Sequence, residues 1–232
     1  MSGKKVITIT GASRGIGLAI AQKFFSEGYQ LRLHASGITG IEKLQSLFPH
    51  AECFAADLSQ ASQIEGLASQ WAALSAPDIF INNAGTFLPG AIHEEKPGVF
   101  ETLMSVNLAA PYHLTRAILP GMIARKCGTI LNMCSTASLQ GYPNGGSYCI
   151  SKFGLLGLSK ELREELKPFG IKVISMMPGA TFTDSWAGSG LPEDRFISAE
   201  DLAELVFTTC TLKSSAVVEE IVIRPLAGDI GN

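Results

Sequence analysis

The sequence predicts an α/β fold, a doubly wound parallel sheet of about seven strands with helices on both faces. Three observations predict it: β-rich runs alternate with helical stretches, a glycine-rich turn joins the first run to the first helix, and apolar residues make up 46% of the chain. Parallel strands need crossover connections, and helical crossovers cover both faces of the sheet they connect. At 232 residues the chain suits one such unit, since α/β folds of about 250 residues form single domains.

Strands are expected at 6–10, 30–35, 52–56, 78–82, 128–134, 172–177 and 217–223, and helices at 15–27, 41–48, 61–73, 99–125, 147–167 and 199–212. No repeat, low-complexity segment or Pro/Gly/Ser linker divides the chain. Residues 184–195, where Trp186, Gly188, Gly190 and Pro192 interrupt the periodic pattern, read equally as a substrate lid or an ordinary surface loop.

Composition narrows the function classes. Charged residues are 17% of the chain and the net charge is −3, which leaves no basic field for a nucleic-acid backbone. The apolar stretch after the basic start is too short for a signal-peptide core, and no run approaches a membrane span, so a soluble, cytoplasmic protein is expected, with neither membrane nor nucleic acid as partner. The five cysteines contain no C-x-x-C pair and the four histidines show no metal-ligand spacing, so packing thiols are expected and no metal site.

The first predicted strand runs into Thr10-Gly11-Ala12-Ser13-Arg14-Gly15-Ile16-Gly17 and then into a helix. Glycines permit a tight turn and close approach of backbone to a pyrophosphate, while the helix start supplies free N–H groups and a favourable dipole. The spacing G-x-x-x-G-x-G is weak evidence alone. Further along, Asn82-Asn83-Ala84-Gly85 follows a strand, Asn107 lies in a helix, Ser135 ends another strand, and Tyr148 and Lys152 stand four apart at a helix start. This ordered set resembles the short-chain dehydrogenase/reductase family from Val6 to about Asp184.

The resemblance implies a Rossmann-type fold and hydride transfer between a nicotinamide cofactor and a small carbonyl or alcohol. It implies catalytic roles for Asn107, Ser135, Tyr148 and Lys152, with Asn107 positioning water in a proton relay and Lys152 touching the cofactor ribose. Cofactor contacts are implied at Gly11, Ser13, Arg14, Gly15, Ile16, Gly17, Ser36, Asn83, Ala84 and Gly85, and in the Pro-Gly segment at Pro178, Gly179, Thr181 and Thr183. Asp57 and Leu58 end the third strand, where the family places an adenine contact; Asp57 as a helix-capping carboxylate is the alternative. The resemblance also implies a homodimer or homotetramer paired through helices 99–125 and 147–167, although Leu155, Leu156, Leu158 and Leu162 suit core packing as well as an interface.

The chemistry follows from the residue types. Tyr148 and Lys152 share one helix face, so the ammonium is expected to lower a phenol whose free pKa is about 10. Tyr148 then acts as general acid in reduction, and the Ser135 hydroxyl holds the oxygen on which charge develops. NADP(H) is expected over NAD(H), because counting from Gly17 puts Ala35, not an acid, where an NAD enzyme of this fold bonds the ribose 2′-OH. Arg14 and Ser36 are then free to hold a 2′-phosphate, though a pocket accepting either cofactor is the alternative.

Rival readings fare worse. A serine hydrolase needs G-x-S-x-G, and Gly145-Gly146-Ser147-Tyr148-Cys149 lacks the last glycine. Epimerases and dehydratases of the family open with a different glycine spacing and carry a longer substrate domain. A redox-sensing protein that binds cofactor without turnover is the non-enzyme alternative, and the presence of both Tyr148 and Lys152 counts against it.

Overall fold

The structure, a computed structural model, describes residues 4–183, 190–213 and 215–230. Seven strands form one sheet: β1 Val6–Ile9, β2 Gln30–Ala35, β3 Glu52–Ala55, β4 Ile79–Asn82, β5 Gly128–Met133, β6 Ile171–Pro178 and β7 Glu220–Ile223. Their spatial order is β3-β2-β1-β4-β5-β6-β7, and every neighbouring pair is parallel. The helices are α1 Gly15–Ser26, α2 Ile38–Leu47, α3 Ala61–Ala72, α4 Val99–Met104, α5 Ala110–Arg125, α6 Gly146–Leu166 and α7 Ala199–Thr211.

Successive strand residues point to opposite faces, so both faces need apolar cover. Ile7, Ile9, Ile81, Leu131 and Ile174 pack with Ile20, Phe24, Leu202 and Val206 of α1 and α7 on one side. Phe80, Ile130 and Val173, their neighbours in sequence, pack with Ile64, Leu67, Leu114, Ile118 and Leu162 of α3, α5 and α6 on the other. Leu155, Leu156 and Leu162 are therefore core residues, whereas Leu158 also borders an apolar hollow with Met104, Leu108, Ala109, Tyr112 and His113.

Strand order reverses between β1 and β4, because the chain winds outward to β3 and then returns across β1. Ligands of open α/β sheets bind outside the carboxyl ends of the strands at such a reversal. Here the glycine turn after β1 and Asn83-Ala84-Gly85 after β4 stand side by side.

One predicted element differs. The expected helix at 99–125 is broken by a π-helical turn, Ser105–Ala109, between α4 and α5. Pro111 follows in the first turn of α5 and has no N–H to give to the carbonyl of Asn107, so the regular hydrogen-bond ladder cannot run through this point. The wider turn carries Asn107, which is fully buried.

Of the segment 184–195, residues 184–189 lie outside the described residues. Its far end, Glu193–Arg195, is tied to the chain's C-terminal turn by Arg195, which donates to the carbonyls of Gly228 and Asp229 at 2.7 and 2.9 Å. Among the described residues no helix is long and apolar enough to cross a membrane, and no cluster of three His, Cys, Asp or Glu side chains could hold a metal ion.

Candidate active site

A cleft of about 470 Å³ opens at the strand-order reversal. Its lining holds Gly11, Ser13, Arg14, Gly15, Ile16, Gly17, Ser36, Asp57, Leu58, Asn83, Ala84, Gly85 and Thr183, all expected from the sequence, together with His34, Ser59, Thr86, Thr102 and Val106. Pro178, Gly179 and Thr181 are not among the lining residues. Gly179 N–H donates to the Ile223 carbonyl, and buried Thr181 turns its hydroxyl onto the Gly179 carbonyl at 3.1 Å.

The turn after β1 is built for close approach. Gly11 has φ +65°, and a Cβ there would stand 2.8 Å from the Cα of Ala84. A Cβ on Gly17 would collide with the Gly11 carbonyl oxygen and with Asn83 Nδ2, which donates to the carbonyls of Thr10 and Gly11 at 3.0 Å each. No side chain caps α1, so the N–H groups of its first turn face the cleft without an intrahelical partner. That combination, a glycine cradle under uncapped amides at the positive end of a helix, fits the pyrophosphate of a dinucleotide.

His34 organises this end of the cleft, and the sequence carries no signal for it. Gly11 N–H donates to His34 Nδ1 at 3.1 Å, Ala12 N–H donates to the His34 carbonyl at 2.9 Å, and Nε2–H donates to the Ala56 carbonyl at 2.8 Å. Accepting at one ring nitrogen and donating at the other requires the neutral ring, and burial does hold the His34 pKa below its usual value. One imidazole thus joins the ends of β1, β2 and β3.

At the end of β2 the side chain in the cleft is Ser36, not Ala35. Ala35 is 1% exposed, belongs to the core, and packs so closely on Gly40 of α2 that a Cβ on Gly40 would lie 2.7 Å from its own. The cleft-lining side chain thus stands one residue beyond the position counted from Gly17. No carboxylate stands at this end of β2, and Arg14, exposed beside it, makes no ion pair among the described residues. Asp57 lines the cleft and accepts the Ser59 N–H at 2.9 Å in the turn ahead of α3; the N-cap of α3 is Gln60, so Asp57 does not cap that helix.

The candidate catalytic groups meet at Gly85, where an added Cβ would stand 3.4 Å from Asn107 Oδ1 and 3.5 Å from Lys152 Nζ. Lys152 is 5% exposed, donates to the Met133 carbonyl at 2.8 Å, and sets its Nζ 5.9 Å from the centre of the Tyr148 ring. Burial brings its pKa down to about 8. Burial raises that of Tyr148, and a hydrogen bond from Ser135 opposes the rise. The expected net lowering of Tyr148 is not seen, because desolvation of the phenol outweighs the hydrogen bond with Ser135.

Ser135 sits at the N-cap of a short 3₁₀ turn, Thr136–Ser138, where its Oγ accepts the Ala137 N–H at 3.1 Å. Asn107 donates to the Thr86 carbonyl and to Ser151 Oγ, both at 3.0 Å, and accepts the Thr86 N–H at 2.9 Å. It thereby fixes the start of the loop that carries Phe87, whose ring meets that of Tyr148 edge-on at 4.8 Å. Burial raises the thiols of Cys134, to about 11, and of Cys149, so the two cysteines beside the site are neutral packing groups near pH 7.

Known proteins resemble this chain in sequence and fold. The chain is 34% identical to nodulation protein G of Rhizobium sp. (strain N33) over 77% of its own length and 74% of the relative's. It is 30% identical to a 3alpha-hydroxysteroid dehydrogenase of Mediterraneibacter gnavus over 94% of each chain. The crystal structure of a metagenomic short-chain oxidoreductase in complex with NADP superimposes with a TM-score of 0.80 at 35% identity, covering 95% of this chain and 96% of that one. A sequence model of the family described as short chain dehydrogenase matches residues 5–193. On this match, and on the shared fold, the chain belongs to the short-chain dehydrogenase/reductase family, oxidoreductases that act on alcohol and carbonyl groups with NAD(P).

Proposed function

We propose that this protein is an NADP(H)-dependent oxidoreductase of small ketones or related carbonyls, such as a 3-oxoacyl group, and of the corresponding alcohols. The observation that carries the reading is the meeting of a half-buried, protonated Tyr148, itself hydrogen-bonded with Ser135, with Lys152 and with Asn107 beside Gly85, a residue of the phosphate-binding cleft wall. When bound, the nicotinamide supplies or takes up the hydride. Ser135 and Tyr148 hold the substrate oxygen, and the phenol gives it a proton as negative charge develops. Lys152 keeps N–H donors beyond the one on Met133 for the ribose hydroxyls, and Asn107 keeps a lone pair on Oδ1 for the water that resupplies the proton. A cofactor-sensing protein without turnover would not need these four groups together.

The preference for NADP(H) rests on the uncharged end of β2 and on Ser36 and exposed Arg14 in the cleft wall. The NADP carried by the metagenomic relative supports it. The expected result is a kcat/KM for NADPH above that for NADH with any active carbonyl, and a Ser36→Asp variant in which the ratio falls at least about tenfold, since a carboxylate repels the 2′-phosphate and bonds a 2′-OH. A wild-type ratio below one would refute the preference. Gly17→Ala should raise the NADPH dissociation constant at least about tenfold in a fluorescence titration, because overpacking against backbone costs about 1–3 kcal/mol. Unchanged affinity would remove the pyrophosphate from this turn.

The homo-oligomer belongs to the same proposal. Supporting it is the apolar hollow bordered by Leu108, Tyr112 and Leu158 on the helices expected to pair. Sedimentation at micromolar concentration should give at least a dimer, and a monomer would refute the pairing.

A further inference from the structure

We infer that Glu95, on the loop after β4, is a positioning residue that caps the catalytic helix α6 from outside and thereby holds Tyr148 in place. The inference rests on the carbonyl-reductase reading only for its kinetic consequence.

Helix α6 starts badly by itself. Its N-cap is Gly145, which has no side chain to accept the orphan N–H groups of the first turn, and Gly146 adds a backbone φ of +35°. The missing acceptor comes from 52 residues away: Ser147 N–H donates to Glu95 Oε1 at 2.7 Å, and the Ser147 hydroxyl donates to Glu95 Oε2. Both carboxylate oxygens are engaged one residue before Tyr148. A carboxylate here also faces the positive end of a 21-residue helix, and these two hydrogen bonds hold the Glu95 pKa below its ordinary value.

The glycine at 146 is explained by the same contact. A Cβ there would collide with Glu95 Oε1 and with the Gly90 carbonyl oxygen, so the helix start and the loop leave no room for a side chain between them. The loop is held at three further points: Thr86 on Asn107, Phe87 against the Tyr148 ring, and Gly90 N–H on the Asn144 carbonyl at 2.9 Å. Of these ties only Glu95 is ionic, and only Glu95 bonds the first turn of α6. The hydroxyl of Tyr148 must meet both Ser135 and a substrate oxygen, and a misplacement of about 1 Å costs on the order of 100-fold in such a step. A loosened first turn therefore reaches the chemistry without reaching the cofactor cleft.

The test uses the full-length protein. In Glu95→Ala, amide hydrogen exchange at Ser147 should accelerate at least tenfold with no ligand present, kcat for an active carbonyl should fall about tenfold, and the NADPH dissociation constant should stay within twofold. Glu95→Gln, which keeps an acceptor for the Ser147 N–H, should recover part of the kcat. Ser147→Ala, which removes only the hydroxyl contact, should give a smaller loss that does not add to that of Glu95→Ala. Unchanged exchange at Ser147, or an unchanged kcat, overturns the inference. If the wild type turned over no carbonyl while exchange still responded, the cap would stand and the assigned reaction would fall.

Discussion

Tyr148→Phe is expected to lower kcat at least about 100-fold while NADPH binds within about twofold of the wild-type affinity. The phenol hydroxyl keeps its proton at neutral pH, and hydrogen bonding with the Ser135 side chain aims it. Burial raises its pKa, so the resting group is the acid that carbonyl reduction requires. Phenylalanine keeps the ring that packs edge-on against Phe87, so the fold loses little. Retained wild-type turnover, measured by NADPH consumption with an active carbonyl, would remove Tyr148 from the chemistry.

Lys152→Met should lower kcat by a similar factor and also weaken NADPH binding, since the ammonium is assigned both a ribose contact and proton resupply. Its second consequence concerns stability. The folded pKa of about 8 lies below the ordinary 10.5, so the native state carries a buried charge at a cost of about 3 kcal/mol. Below pH 8 the lysine is charged in both states and the full cost is present. Between pH 8 and 10.5 the unfolded chain binds more protons than the native one, so stability rises with pH through this window. The urea midpoint of the wild type should therefore climb relative to that of Lys152→Met from pH 7.5 to pH 10. A constant difference would mean that Lys152 is not held near pKa 8 in the fold. Turnover of the wild type should decline as pH rises past 8, where the ammonium is lost.

The fold was legible because both faces of a parallel sheet are buried, which makes its strands short apolar runs separated by helices. Tyr148 and Lys152 were legible because a spacing of four residues puts both on one face of a helix whatever surrounds it. Less readable were features set by tertiary contact. Strand-end counting assigned the cofactor-selecting position to Ala35, but a one-residue slip turns a side chain to the other face, and Ser36 is the residue in the cleft. The π-helical turn at Asn107 interrupts a stretch whose pattern is helical on both sides, with Pro111 as its only local trace.

His34 and Glu95 show the same limit more clearly. Each acts through partners distant in sequence: His34 through Gly11 and Ala56, Glu95 through Ser147. No local spacing announces such pairs. The balance at Tyr148 was also beyond reach, since the i, i+4 lysine was visible while the desolvation that raises the phenol depends on the packed site.

The proposed passage of hydride between a nicotinamide in this cleft and a carbonyl carbon held at Tyr148 can be followed by isotope. The most direct measurement supplies NADPH deuterated at C4, each stereoisomer in turn, with a ketone the enzyme consumes, and reads the alcohol by mass spectrometry. One stereoisomer should yield alcohol carrying one deuterium on the carbinol carbon, and the other unlabelled alcohol. Cofactor oxidised without label reaching that carbon from either isomer would contradict the account.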